Sequence, residues 1–342
     1  MRVSTTLQYA GDPRPFVDAA VRLEGAGLDT IWVAEAYGFD AVSVLGYIAA
    51  RTSTVNVGSA VLNIFSRTPT LLAQTAAGLD AVSGGRAILG LGASGPQVIE
   101  GWHGLAYDRP LPRTREVVDI VRRALRREVI TNDGQVVIPL PAEQGTGLGK
   151  PLKMLTRPVR DAVPIYLAAL GDRNVRLTAE IADGWLPTMF VPERAADVWG
   201  ASLAAGAAKR SPDLGPLEVC TGGPLAIGED VTALRELMRP LLALYIGGMG
   251  AKGRNFYHDT ATRLGFGEQA DAIQERYLAG AKDEAAALVP DELLQGVSLI
   301  GPQGYVRERV EAYRAAGVTT LDVFAVGQDP VGDVAKLVEW AA

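Results

Sequence analysis

Cysteine and histidine are almost absent from this chain. Cys220 is the single cysteine, and His103 and His258 are the two histidines among 342 residues. One thiol cannot close an intrachain disulfide, and one thiol with two imidazoles cannot build the usual cysteine- or histidine-rich metal cages, so no metal site is expected. A Ser-His-Asp device would have to use His103 or His258. An excess of positive charge is missing too. Lys plus Arg number 33 against 39 Asp plus Glu, a net charge of −6, which leaves no basic face for nucleic acid. No apolar run reaches the roughly 20 residues that span a bilayer, and Met1 leads into a strand with no basic-then-apolar leader. The expectation is a cytoplasmic chain with neither nucleic-acid nor membrane partner. With 48% hydrophobic and 21% charged residues, the composition is that of a globular enzyme.

What is present is an alternation of strand and helix. Strands are expected at Val3–Tyr9, Thr30–Ala34, Val55–Val61, Ala87–Gly92, Pro164–Ala168, Gly184–Pro187, Leu217–Ala226 and Thr320–Val326. Helices are expected at Pro13–Ala26, Phe39–Arg51, Pro69–Val82, Asp172–Ala182, Glu193–Lys209, Asp230–Tyr245, Gln303–Ala316 and Pro330–Trp340. Another, after the fourth strand, carries Val117, Ile120, Val121, Ala124 and Leu125 on one stripe. Two stretches, 131–163 and 246–296, break the rhythm and read as excursions over one end of the fold. The junctions Glu24–Val33 and Arg314–Val323 are one device used twice: a helix stopped by glycine, then an apolar residue entering a buried strand. The pattern predicts a single α/β domain over 1–342, an (α/β)8 TIM barrel with insertions at its C-terminal mouth. A doubly wound open sheet is the weaker alternative, because no G-x-G-x-x-G follows the first strand.

Leu79–Gly95, LDAVSGGRAILGLGASG, is the densest segment: a helix end, a glycine turn, a short apolar strand and a glycine-rich mouth. Gly92, Ser94 and Gly95 leave backbone N–H groups bare at the C-terminal end of that strand, where ligands bind in such folds. Ala168-Ala169-Leu170-Gly171 leads into a helix starting near Asp172, so small residues let the backbone approach an anion at a helix N-terminus. Asp172 could instead cap that helix itself.

Three segments together, LDAVSGGRAILGLGASG, LAALGDRNVRLTAEIADGW (Leu167–Trp185) and IGPQGYVRERVEAYRAAGV (Ile300–Val318), resemble the bacterial luciferase-like monooxygenase superfamily. Within it they most nearly resemble oxidoreductases that use the deazaflavin coenzyme F420. The resemblance covers nearly the whole chain, least well in 131–160 and 246–296. It implies an (α/β)8 barrel with the cofactor at the C-terminal mouth, its ring resting on a bulge of the third strand that holds a non-prolyl cis peptide. That bulge maps to Leu62–Phe65, with the cis bond expected at Asn63–Ile64. Ala34, Asn63, Ile64 and Gly92 are then expected beside the ring, with Ser94, Gly95, Ala168, Ala169, Leu170 and Gly171 around the phosphate. A homodimer is implied by the resemblance alone. The chain departs from its deazaflavin relatives at Ala36, where many carry histidine, and at Gly95 or Pro96, where the alcohol and sugar-phosphate dehydrogenases carry glutamate. Alcohol oxidation in their manner is not expected.

The candidate catalytic residues are Glu35, Trp102 and His103. Gln97–Gly104 gathers Glu100, Trp102 and His103 after the fourth strand, where an imidazole suits proton transfer and an indole could wall a substrate. The plainer reading is a packed loop. Glu35 and Tyr37 follow the second strand, and Glu35 is either an acid/base group or the partner of an arginine such as Arg67. Cys220 reads as a small buried hydrophobe, His258 as a surface or interface residue, and Arg86 as a structural group at the barrel bottom. Arg122, Arg123, Arg126 and Arg127 read as a solvated helix face. The function expected is hydride exchange between F420 and a small organic substrate. The rivals are an FMN-dependent monooxygenase, a catalytically silent binding protein and, more distantly, a TIM-barrel aldolase or metallohydrolase, for which no lysine ends a strand.

Overall fold

The computed structural model describes residues 1–7 and 11–341. Gln8 and Tyr9, the end of the expected first strand, lie outside the described residues. Eight parallel strands form the frame: β1 Arg2–Leu7, β2 Thr30–Val33, β3 Asn56–Ser59, β4 Ala87–Gly92, β5 Ile165–Ala168, β6 Gly184–Trp185, β7 Glu218–Ile227 and β8 Thr320–Ala325. β1 pairs with both β2 and β8, and β6 pairs with β7 through Gly184–Glu218 and Trp185–Val219, so the ring closes. This is an (α/β)8 barrel, and the open-sheet alternative falls with that closure. A three-residue strand at Leu299–Gly301, not expected from the sequence, extends the mouth beside the end of β7.

The outer layer comprises α1 Arg14–Gly25, α2 Ala41–Arg51, α3 Pro69–Ser83, α4 Pro110–Leu125, α5 Asp172–Ile181, α6 Pro192–Ala207, α7 Gln303–Ala315 and α8 Pro330–Ala341. Asp40 and Thr68 cap α2 and α3 by accepting from Ser43 N and Leu71 N. The repeated junction is one backbone motif twice. Gly27 and Gly317 have φ of 87° and 86°. The N–H of Leu28 donates to Leu23 O, and that of Val318 to Tyr313 O, both at 3.1 Å. Arg86 secures the bottom, donating to the carbonyls of Ser83, Ala49, Thr52 and Val55.

One expected helix is absent as such. Residues 230–245 do not form a single α-helix: Thr232–Met238 is a 3-10 helix, Arg239–Ala243 is α-helical, and Leu244–Gly248 is π-helical. Pro240 has no N–H to continue a ladder through this region, and Gly247 and Gly248 hold it weakly at the far end. Within 131–163 a small antiparallel ribbon pairs Asn132–Asp133 with Val137–Ile138. Within 246–296, short helices pack over the mouth.

The barrel axis is plugged by two rings. Trp32 from β2 and Tyr166 from β5 meet at 5.4 Å between centroids. Glycine makes room for them. A Cβ on Gly58 would lie 2.4 Å from the Trp32 ring, and one on Gly184 2.4 Å from the Tyr166 ring. Above the plug the barrel stays open.

Candidate active site

The open end is a cavity of about 810 Å³, lined by the C-terminal ends of the strands and by residues of the 246–296 excursion. A cavity of this size suits a cofactor together with a small substrate.

Its shape begins at the β3–β4 junction. The Ser59 hydroxyl donates to Gly90 O at 2.8 Å and accepts from Gly90 N at 2.9 Å, taking the place of backbone pairing. A Cβ on Gly90 would fall 1.7 Å from Ser59 O, so only glycine fits there. The chain then swings out through a non-prolyl cis peptide at Ala60–Val61, and Leu62–Asn63 returns to pair with Leu91–Gly92. The bulge therefore lies earlier than expected, and the cis bond is not at Asn63–Ile64. The cause is Ser59: its side chain ends the β3 ladder, and by Asn63 the chain is back in register. Ala60, Val61 and Asn63 line the cavity, whereas Ile64 is fully buried in the core and does not.

The other residues expected beside a cofactor, Ala34, Gly92, Ser94, Gly95, Ala168, Ala169, Leu170 and Gly171, all border the cavity. Ser94 and Ala36 do so with φ of 57° and 44°, a left-handed backbone that costs a non-glycine residue about 1–2 kcal/mol. Gly171 is the N-cap of α5 and no side chain caps it. Asp172 does not fill that role. Its carboxylate accepts from Ser202 Oγ at 3.3 Å and pairs with Arg263. The first residues of α5, Asp172, Arg173 and Asn174, border the cavity, and Arg173 is the one cationic side chain among the described lining residues. Asn174 Oδ1 is buried there without a partner.

The three candidate catalytic residues are dispersed. Glu35 borders the cavity, but both carboxylate oxygens accept from Arg67, at 2.6 and 2.7 Å, and Oε2 also accepts from Ala41 N at 3.0 Å. Arg67 reaches on to Asp40 at 2.7 Å. Trp102 is 67% exposed, outside the lining, with its ring 6.3 Å from that of Tyr37. His103 also stands outside the lining and meets Asn63 Nδ2 through Nε2 at 3.3 Å. Asn63 Oδ1 accepts from Phe65 N and Ser66 N, which turns the amide NH2 toward the imidazole. Nε2 must then be an acceptor, so the ring carries its proton on Nδ1. Glu100, their neighbour, accepts from Tyr107 N at 3.2 Å.

Several lining residues escaped the sequence reading. Tyr107 donates from its hydroxyl to Ser94 O at 3.3 Å, stacks on Phe65, and is pushed up to about 12 by burial. Tyr245 and Tyr257, with ring centroids 4.6 Å apart, join Met249, Phe256 and Phe324 in an apolar wall. The buried Asn255 holds that wall, its Nδ2 donating to Tyr245 O at 2.9 Å and Ile246 O at 2.8 Å, carbonyls of the π-helical stretch. His258 does not line the cavity and meets Asp271 at 3.0 Å. On the floor, Asp322 accepts from Ser4 Oγ at 2.8 Å and Thr6 Oγ1 at 2.6 Å. Cys220 is buried beside Ser4, and desolvation pushes its thiol up, which makes it inert at neutral pH. Nothing in the sequence marks this floor: Ser4 and Thr6 share β1 with Arg2 and Thr5, and Asp322 shares β8 with Thr320, so no clean polar-apolar alternation singles them out.

Comparison with known proteins agrees with this geometry. The family model described as luciferase-like monooxygenase matches residues 1–320. A Mycobacterium tuberculosis protein named "Putative coenzyme F420-dependent oxidoreductase Rv3520c" is 41% identical over 345 residues, covering 99% of both chains. The 5,10-methylenetetrahydromethanopterin reductase of Archaeoglobus fulgidus is 28% identical, covering 90% of this chain and 87% of its own. Among solved structures, the coenzyme F420-dependent tetrahydromethanopterin reductase of Methanopyrus kandleri superposes with a TM-score of 0.77 at 22% identity, covering 99% of this chain and 97% of its own, a likeness of fold. The chain, an oxidoreductase by this kinship, belongs to the luciferase-like monooxygenase family.

Proposed function

We propose that the protein is an F420-dependent oxidoreductase acting on an uncharged, largely apolar organic substrate. The observation that carries this is the pairing of an open, mostly apolar cavity with a helix N-terminus that no side chain caps and with Arg173, the one cation among its described lining residues. The full-length similarity to a protein named as F420-dependent supports the deazaflavin over FMN. The residues fit such a group: Ala168–Gly171 bring backbone with little side-chain bulk to the cavity, the start of α5 offers a helix N-terminus, and Arg173 offers charge to a phosphate. Asn174 Oδ1, a buried acceptor without a partner, suits a hydroxyl-bearing linker. When bound, a deazaflavin supplies a two-electron hydride donor or acceptor.

The chain's own residues then position and enclose. Ala60, Val61 and Asn63 give a backbone shelf on one side, and Asn63 is locked by Phe65 N, Ser66 N and His103. The Arg67 pair holds the loop that carries Glu35, so Glu35 acts as a brace for the mouth. The wall of Tyr245, Met249, Phe256 and Tyr257 excludes water from the reacting face. With Arg173 committed to phosphate, no described lining cation remains to neutralise a substrate anion, which points to a neutral substrate.

Fluorescence titration of the purified protein with coenzyme F420 and, separately, FMN tests the reading. The expected result is micromolar or tighter F420 binding, weak FMN binding, and about tenfold weaker F420 binding in Arg173→Ala, one charge-assisted contact's worth. Preference for FMN, or binding of neither, overturns it.

A further inference from the structure

We propose that Asp322 is the proton-transfer residue at the cavity floor, exchanging a proton with the heteroatom of the uncharged substrate. The proposal rests on the functional reading above. Asp322 lies on β8 and borders the cavity together with the Trp32 ring. Each carboxyl oxygen accepts one hydroxyl, from Ser4 or Thr6 of β1, and keeps a second lone pair. The groups beside it on the neighbouring strands are those two hydroxyls of β1 and the Cys220 thiol of β7; none is cationic. Trp32 Nε1 is a buried donor with no partner, which leaves the floor one hydrogen bond short until something enters. Every other carboxylate bordering the cavity is already committed: Glu35 to Arg67 and Asp172 to Arg263.

Burial pushes the Asp322 carboxyl up, and the Thr6 and Ser4 hydroxyls hold it down, leaving it at about 6. A group poised there can give and take protons near neutrality. In the reductive direction a bound, reduced deazaflavin would supply a hydride, with both electrons, to the substrate's C=X carbon, and the π pair would move to X. The O–H bond of Asp322 breaks, an X–H bond forms, and the carboxylate is left held by Ser4 and Thr6. Solvent returns the proton. Oxidation runs the same steps backward.

The test is infrared difference titration of the carboxyl band in the whole protein, with 2-cyclohexenone as a neutral carbonyl probe. The expected result is a protonated-carboxyl band that titrates near pH 6, shifts when the probe is added, and is missing in Asp322→Asn. Thr6→Val removes a hydroxyl that stabilises the charged form, so its midpoint rises by about one unit; this variant keeps the test alive if Asp322→Asn fails to fold. With F420 bound, Asp322→Asn keeps its cofactor affinity within about threefold and loses at least 100-fold in rate, the scale of general acid catalysis. A band that survives in Asp322→Asn, does not respond to the probe, or does not move in Thr6→Val overturns the proposal, as does an unimpaired rate. If F420 fails to bind the unsubstituted protein, the functional reading falls and the titration with the probe alone still decides the role of Asp322.

Discussion

Glu35 and Arg67 show how one residue can answer a question its sequence context leaves open. A carboxylate after a barrel strand is either a reactant or half of an ion pair, and here both of its oxygens are taken by one guanidinium, with side-chain exposures of only 15% for Arg67 and 9% for Glu35. Such a pair is costly to break from one side, because the remaining charge stays buried. Arg67→Met is expected to lose about 3 kcal/mol in urea unfolding, and the double variant Glu35→Gln, Arg67→Met to recover at least half of it. A double-variant loss equal to the sum of the losses in Arg67→Met and Glu35→Gln alone would show that the pair is not coupled. The partner was legible from the sequence, because Arg67 sits just past the neighbouring strand. Asp322 was not. A lone acid in a strand gives no hint of which way it points until the barrel closes and sets Ser4 and Thr6 against it. His103, expected at the mouth, stands outside the cavity lining and meets the Asn63 amide, a contact that its place in the chain does not reveal.

At the scale of elements, the glycines decide what the barrel can hold. β3 passes under the Trp32 ring at Gly58, so the strand and the plug are one packing unit. Gly58→Ala is expected to cost about 2 kcal/mol by overpacking. In a Trp32→Leu background the same change should cost under half as much, since the ring it collides with is gone. Thermal or urea unfolding of the four proteins in this cycle measures the coupling, and strict additivity would show that the ring does not set the need for glycine. The strands and most helices were readable because apolar runs and glycine stops recur at every junction, Gly27 and Gly317 most plainly. The segment at 232–248 was not, because its apolar spacing looks helical while Pro240 and two glycines divide its hydrogen bonds among three helix types. Leu299–Gly301 is too short to carry a period of its own. The bulge was misplaced because the sequence shows the departing chain but not that the Ser59 side chain ends the ladder.

For the whole molecule, stability should follow pH through two opposed sets of carboxyls. Glu24 represents the first. Burial raises it, but the N–H groups of Thr54, Val55 and Ser53 outweigh that and bring it down to about 2. A depressed carboxyl stabilises the fold above its unfolded value, and that stability is lost as pH falls from about 4.5 toward 2. Asp40, Glu116 and Glu180 are displaced the same way, so the acid limb is shared. The opposite limb belongs to Asp322 and Asp333, the carboxyls displaced upward among the described residues. For Asp322 the folded state favours the protonated form, so its contribution is present below about 4 and lost as pH rises through about 6. A shift of this size corresponds to roughly 3 kcal/mol, which water in the open cavity trims. Asp322→Asn, which keeps the shape and cannot ionise, should therefore flatten the profile between pH 4 and 6 and leave the acid limb in place. Glu24→Gln should do the reverse, lowering stability at neutral pH by about 1 kcal/mol as charge-assisted bonds become ordinary ones. Urea unfolding across this range separates the two. If Asp322→Asn leaves the slope above pH 4 unchanged, the floor carboxyl is already ionised in the folded state, and solvent in the cavity governs it more than the barrel does.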